Sequence, residues 1–432
     1  MYFVSSRHAL NGVAVVPGSK SHTIRAVVIA TLAEGTSRIM NPLNSEDCLS
    51  AARACRLFGA RIDTDGAGWT VQGAGGTLAT PDDIVDCGNS GTALYFVTAM
   101  ACMADGWSVL SGDHQLRRRP ILPLLEALRG MGGQAFTTRG GAAAPAVVRG
   151  PLRGSTVRFS GKLSQYVSAI LITAPYLSGS TRIELETPLE RPYLDMTVEW
   201  MRSQGVSVRF DETGYHWFEV PGGQRYAPVN RSIPSDWEGV AFPLGAAVLT
   251  DSTLTIEQLD FAGTQGDAAI VDAFQAMGAD IVVDTAASSL SVRGGKPLHG
   301  ITLDCSDMPD AVPMLATLAC FAEGDTTLTN LESVRLKETD RVARMSEELA
   351  KLGARCSETP TTLTIHGTGG RGMTGAVVNS HDDHRIAMAL TVAGLALDGE
   401  TMVSGGECCA VSFPDFFEVM NGIGAHLEKR PE

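Results

Sequence analysis

The chain has 432 residues, 44% of them hydrophobic and 19% charged, with a net charge of −14. That length calls for more than one hydrophobic core, and the composition is ordinary for a soluble globular protein. The negative balance disfavours nucleic acid and anionic membrane surfaces as partners, but a local cluster of arginines and lysines can still outweigh it and bind a small anion.

In chain order, the stretch Met1 to His8 lacks the apolar core of a signal peptide, and Leu94 to Ala104 is too short to span a bilayer. A cytoplasmic protein is expected. A strand is expected over Gly12 to Val16, ended by Pro17-Gly18, followed by apolar helices at Ala26 to Leu32, at Leu94 to Met103 and from Ile386 onward. The Pro- and Gly-rich stretch from Val220 to Pro234 reads as a linker. The nine cysteines show no C-x-x-C pair and no framework spacing, which argues against a zinc clip or a disulfide scaffold and for small buried residues.

Two phrases recur along the whole chain. One is an apolar helix-like stretch ending in glycine before a strand-like run, at Gly59, Gly132, Gly205, Gly278, Gly353 and, more weakly, Gly424; the steps are 73, 73, 73, 75 and 71 residues. The other is an Ala-rich helix with a tight turn, at Gly35, Gly106, Gly179, Asp251, Gly324 and Gly399, with steps of 71, 73, 72, 73 and 75. Glycine suits both turns because a helix C-terminus commonly needs a left-handed residue. Six units of this length, each alternating helices with strands, predict two pseudo-threefold α/β domains of three units each. The breakers at Pro17-Gly18 and before Pro234 predict that the chain crosses twice, giving 1–17 with 234–432 as one domain and 18–233 as the other. A cleft between such domains is the natural small-molecule site.

Several polar motifs stand out against this background. Pro17-Gly18-Ser19-Lys20-Ser21-His22-Thr23-Ile24-Arg25 puts two cations beside a helix start, which fits either an anion site or a solvated cap, and it lacks the spacing of a Walker A loop. Asp86 to Ala93 is rich in small residues before an apolar helix, so it is either a close-approach loop or a plain turn. Arg117-Arg118-Arg119 offers a guanidinium for a phosphate or carboxylate. The charges of Arg335 to Arg341 alternate, as in pairing along a helix. His381 and His384 lie near acids without convincing metal spacing.

Taken together and in order, Pro17-Gly18-Ser19-Lys20-Ser21, Gly88-Asn89-Ser90-Gly91-Thr92, Arg119-Pro120, Ser164-Gln165-Tyr166, Met308-Pro309-Asp310, Leu336-Lys337-Glu338-Thr339-Asp340-Arg341, Asp383-His384-Arg385 and Ser412-Phe413-Pro414 resemble the signature set of the 5-enolpyruvylshikimate-3-phosphate synthases. The resemblance covers essentially the whole chain. It implies two inverse α/β domains, each of three βαβαββ units, with the active site in the interdomain cleft. It implies transfer of the enolpyruvyl group of phosphoenolpyruvate to the 5-hydroxyl of shikimate 3-phosphate by a cytoplasmic monomer that needs no metal or organic cofactor. It also implies a target for glyphosate, with Gly91 leaving room at a position where bulkier residues exclude that inhibitor.

By the same resemblance Lys20, Arg119, Arg341 and Arg385 hold the donor, together with Gln165 and the backbone at Gly91. Ser21, Arg25, Asn89, Ser164, Gln165, Asp310 and Lys337 belong to the substrate site, and Asp310, Glu338, Lys20 and His384 carry the proton chemistry. The chain departs from the pattern at Leu163 and Glu190, which stand where the family has serines that contact the acceptor phosphate. Another small anionic acceptor, such as a nucleotide, sugar nucleotide or specialised metabolite, therefore stays open, as does a non-catalytic binding protein. The related UDP-N-acetylglucosamine enolpyruvyl transferases carry a loop cysteine where this chain runs Gly112 to Leu116, and no cysteine lies between Cys102 and Cys305.

Overall fold

The structure is a computed structural model and describes residues 1–431. The chain separates into a discontinuous unit, Met1–Pro17 with Pro234–Glu432, and a continuous unit, Gly18–Ile233. Each has its own buried apolar core.

The continuous unit contains α1 (Lys20–Leu32), α2 (Glu46–Leu57), α3 (Gly91–Ala101), α4 (Leu122–Gly130), α5 (Ser164–Thr173) and α6 (Arg191–Ser203). The discontinuous unit contains α7 (Trp237–Leu249), α8 (Ile270–Ala276), α9 (Val312–Cys320), α10 (Arg341–Lys351), α11 (His384–Gly394) and α12 (Phe416–Gly422). Each unit has three sheets built on one plan, a parallel pair and then two antiparallel strands, except that in one sheet of the discontinuous unit Leu298–His299 and Thr302–Asp304 both pair in parallel with Ala322–Thr329. In the continuous unit, for example, Val85–Asp86 pairs in parallel with Ser108–Ser111, which pairs antiparallel with Ala146–Arg149, which pairs antiparallel with Gln134–Thr137. Parallel strands need a helical crossover. Here α3 provides it, as α5 does between Thr156–Phe159 and Thr181–Leu185, and α11 between Val377–Asn379 and Thr401–Ser404.

The six recurring glycines explain the period. Gly59, Gly132, Gly205, Gly278, Gly353 and Gly424 each follow the last turn of α2, α4, α6, α8, α10 and α12, and all have φ between 85° and 105°. That is the left-handed conformation a helix-terminating residue adopts, and a Cβ would oppose it. Helices α1, α7 and α11 are buried nearly all round, whereas α10 buries only Arg341, Val342, Met345, Glu348 and Leu349. The first pattern belongs to a helix enclosed by its unit and the second to one covering it with a single face.

Three expectations need correction. The stretch from Val220 to Pro234 is not a free linker, because Asn230–Ser232 is a strand paired in parallel with Thr36–Met40. The continuous unit begins directly with α1, so the strand that should precede this helix is supplied from the end of the unit. Reciprocally, Asn11–Val15 pairs in parallel with Thr253–Glu257 and so serves α7. Helices α1, α3 and α11 also start earlier than their apolar runs, at Lys20, Gly91 and His384, because their polar first turns are helical too. Finally, Arg335 to Asp340 precedes α10 rather than lying on it.

All nine cysteines are free and seven are buried, and burial pushes the thiols of Cys55, Cys102 and Cys305 up to about 12. Among the described residues no helix is long and apolar enough to cross a membrane.

His22 is buried within α1 and accepts a hydrogen bond at Nδ1 from Trp200 Nε1 at 2.9 Å. Burial, together with the charges of Arg25 and Arg231, lowers its pKa to about 3. The unfolded chain therefore binds a proton here below about pH 6.5 that the folded chain refuses until about pH 3. Stability from this group is present above pH 6.5 and falls as pH drops through that window, by ~1.4 kcal/mol per pH unit. Urea unfolding followed at several pH values should show this slope, and His22→Gln, whose amide oxygen can still accept from Trp200, should lose one proton's worth of it.

Candidate active site

In the continuous unit the predicted residues gather where α1, α3 and α5 begin. Lys20, the first residue of α1, places Nζ 3.4 Å from Asp47 Oδ2, with both side chains buried. Ser21 follows and uses its carbonyl to accept from Arg25 NH1 at 3.0 Å. Arg25 also donates from Nε to Thr197 Oγ1 at 2.9 Å and from NH2 to the Tyr193 carbonyl at 3.1 Å, and it lies over the Phe96 ring. Burial lowers its pKa to about 10, so the guanidinium stays charged at neutral pH while tying α1 to α6.

At α3, Ser90 caps the helix by accepting from the Ala93 N–H at 3.2 Å. Asn89 just before it donates its amide to Asp113 at 2.7 Å and to Gln115 at 2.6 Å. A Cβ on Gly91 would lie 2.3 Å from Arg119 NH1, so glycine is what lets this guanidinium rest against the helix start. The Arg119-Pro120 turn is itself held from two helices. Tyr95 of α3 and Tyr166 of α5 both donate to the Pro120 carbonyl, at 3.1 and 2.5 Å, with their rings packed edge to face at 5.0 Å. Burial pushes the Tyr166 hydroxyl pKa up, which keeps it a donor. At α5, Gln165 donates to Thr92 Oγ1 at 2.9 Å. Ser164 donates both its N–H and its hydroxyl to one oxygen of Glu190, at 3.0 and 2.8 Å.

In the discontinuous unit the centre is Arg341, the fully buried first residue of α10. Its three donor groups meet three carboxylates: Nε to Asp383 at 2.8 Å, NH1 to Asp310 at 2.5 Å and NH2 to Glu338 at 2.5 Å. Burial opposes the charge, but Asp383, Glu338 and Asp310 outweigh it and drive the guanidinium pKa up. Asp310 is shared further, lying 3.1 Å from Arg385 Nε and 3.6 Å from Lys337 Nζ. Arg385 is also paired with Glu238 of α7. Asp383 caps α11 by accepting from the Arg385 N–H at 3.0 Å, and it accepts from Thr339 at 3.2 Å. His384, the first residue of α11, is completely buried beside it. Arg335 pairs with Asp340 just outside this cluster.

Each unit thus brings its predicted residues together at helix N-termini, where free N–H groups and the helix dipole favour anions. Sequence reasoning missed Asp47, Glu238 and Asp383 as ion-pair partners, and Tyr95 and Tyr166 as supports of the Arg119 turn. Only Asp383 had a local signal, as an aspartate directly before a helix. His381 belongs elsewhere. With Glu347 it lies near Glu348, whose carboxylate takes the His381 ring nitrogen and the Lys351 ammonium, both at 2.7 Å. A lysine thus stands as the cation of that group.

Fold and site together define a two-unit α/β protein with basic side chains gathered near helix starts in each unit. The family model described as EPSP synthase (3-phosphoshikimate 1-carboxyvinyltransferase) matches residues 4–420. The chain is 39% identical over 99% of its length, and 100% of the relative's, to a 3-phosphoshikimate 1-carboxyvinyltransferase of Ruminiclostridium cellulolyticum. It is 40% identical, with 99% of each chain covered, to one from Methanocaldococcus jannaschii. An EPSP synthase structure from Acinetobacter baumannii superposes with a TM-score of 0.83 at 29% identity, covering 99% of both chains. The chain belongs to the EPSP synthase family.

Proposed function

We propose that the chain transfers the enolpyruvyl group of phosphoenolpyruvate to the 5-hydroxyl of shikimate 3-phosphate, with release of phosphate, in the shikimate pathway to the aromatic amino acids. One observation supports the reading beyond kinship: the Asp310 carboxylate is fixed in position by Arg341, Arg385 and Lys337, as a residue that must meet a reacting hydroxyl has to be.

In this reading Lys20, Arg119, Arg341 and Arg385 grip the carboxylate and phosphate of the donor, helped by Gln165 and the backbone at Gly91. Arginine suits both groups because its planar fork donates in pairs. Ser21, Arg25, Ser164, Gln165, Asp310 and Lys337 serve the acceptor, Arg25 chiefly by holding Ser21 in place, and Asn89 belongs to the substrate site. A proton is delivered to the methylene carbon of the donor, and positive charge develops at C2. The acceptor oxygen attacks there as Asp310 takes its proton, which gives a tetrahedral adduct. Loss of a methyl proton and departure of phosphate then restore the double bond in the product. Glu338 and Lys20 handle the methyl-group proton, and His384 assists from the start of α11. No step calls for a metal or organic cofactor. The same reading has the protein act in the cytoplasm as a monomer on small molecules rather than nucleic acid, in keeping with its net charge of −14.

The test is phosphate release from phosphoenolpyruvate. Release that depends on shikimate 3-phosphate supports the assignment. Release only with a different hydroxyl compound would reassign the acceptor, and none with any acceptor would remove the catalytic reading.

A further inference from the structure

Glu190 is a buried carboxylate, only 1% exposed, that the proposed chemistry does not use. It precedes α6 with φ 55° and ψ 37°, a left-handed backbone that a non-glycine residue keeps only where its surroundings hold it. Its side chain turns to the start of a different helix. One oxygen accepts from both the N–H and the hydroxyl of Ser164, at 3.0 and 2.8 Å, and so sits on the N-terminus of α5. That is where free N–H groups and the helix dipole favour an anion. The Glu190 charge also acts on Arg25, which holds Ser21 through its carbonyl.

The inference rests on the proposed function, in which Ser21, Arg25 and Ser164 serve the acceptor. We propose that Glu190 is a specificity-determining residue of the acceptor site. Its carboxylate already fills the anion position that Ser164 and α5 offer, so the phosphate of the acceptor must compete with a like charge for the same donors. Acceptor affinity is therefore held down. Selectivity for a phosphorylated over an unphosphorylated acceptor is blunted as well, because only the phosphorylated one meets the repulsion.

The decisive experiment compares the full-length chain with Glu190→Gln and Glu190→Ser. Glutamine keeps an oxygen that can accept from Ser164 but removes the charge. Shikimate 3-phosphate binding is measured by calorimetry and, where turnover is present, by steady-state kinetics, with shikimate as the unphosphorylated acceptor. The expected result is roughly tenfold or more tighter binding of shikimate 3-phosphate in both variants. The KM for phosphoenolpyruvate should change less than about twofold, and the preference for the phosphorylated acceptor should rise by the factor gained in binding. A purely structural cap predicts the opposite sign, since its loss loosens the site. Unchanged or weaker binding in the folded variants would overturn the proposal, and so would no binding to any of the three proteins. Glu190→Ser supplies the comparison if Glu190→Gln does not fold. Tighter binding in a chain that releases no phosphate would uphold this inference while removing the catalytic reading.

Discussion

Arg341→Met should abolish measurable turnover and destabilise the discontinuous unit by about 3–5 kcal/mol, the cost of breaking a buried ion pair from one side. The methionine is close in length but supplies no donors. Asp383, Asp310 and Glu338 would each lose a hydrogen bond at 2.5–2.8 Å, Asp383 in a place closed to water. Asp383 would also become a less secure cap for α11, which begins with His384 and Arg385. Lysine should not rescue the position, because a single ammonium cannot reach three carboxylates in three directions. Thermal unfolding combined with the phosphate-release assay checks both halves. A variant that melts with the parent, or keeps its turnover, would mean that Arg341 does not hold these carboxylates together.

Lys20→Met should lower turnover by about 10²–10⁴-fold, the usual range for losing a positioned acid–base group, at a smaller cost in stability than Arg341→Met. Lys20 pairs with one carboxylate, Asp47 at 3.4 Å, where Arg341 holds three, so its removal disturbs the fold less than that of Arg341. Phosphoenolpyruvate should also bind more weakly, because one of its four proposed cations is gone. The measurement is kcat and KM for the donor in a variant whose melting temperature has been recorded. Turnover equal to that of the parent would remove Lys20 from the proton chemistry. The two substitutions separate the proposed tasks: Arg341 both builds the site and serves it, whereas Lys20 mainly serves it.

The polar motifs were legible because they interrupt an otherwise apolar helical pattern at positions where helices begin. The structure places Lys20, Gly91, Ser164 and His384 at such starts. What the motifs are tied to was not legible. Lys20 meets Asp47 of the next helix, Arg25 meets Thr197 and Tyr193 far along the chain, and Arg385 meets Glu238 of α7. Glu190 read as a misfit in an acceptor site, and only its geometry shows the bonds to Ser164 at the start of α5.

The six-part plan belonged to the sequence by itself. It is written in local backbone needs that recur at near-equal steps, above all the left-handed glycine after each outer helix. A local steric requirement leaves its mark at one position and can be read there. Tertiary structure alone decided that Asn230–Ser232 completes the sheet of Thr36–Met40, that Tyr2–Ser5 pairs with Thr401–Ser404, and which carboxylate faces which arginine. These pairings join residues far apart in the chain. Any of the acids could satisfy an arginine electrostatically, so only packing in three dimensions selects the one that does.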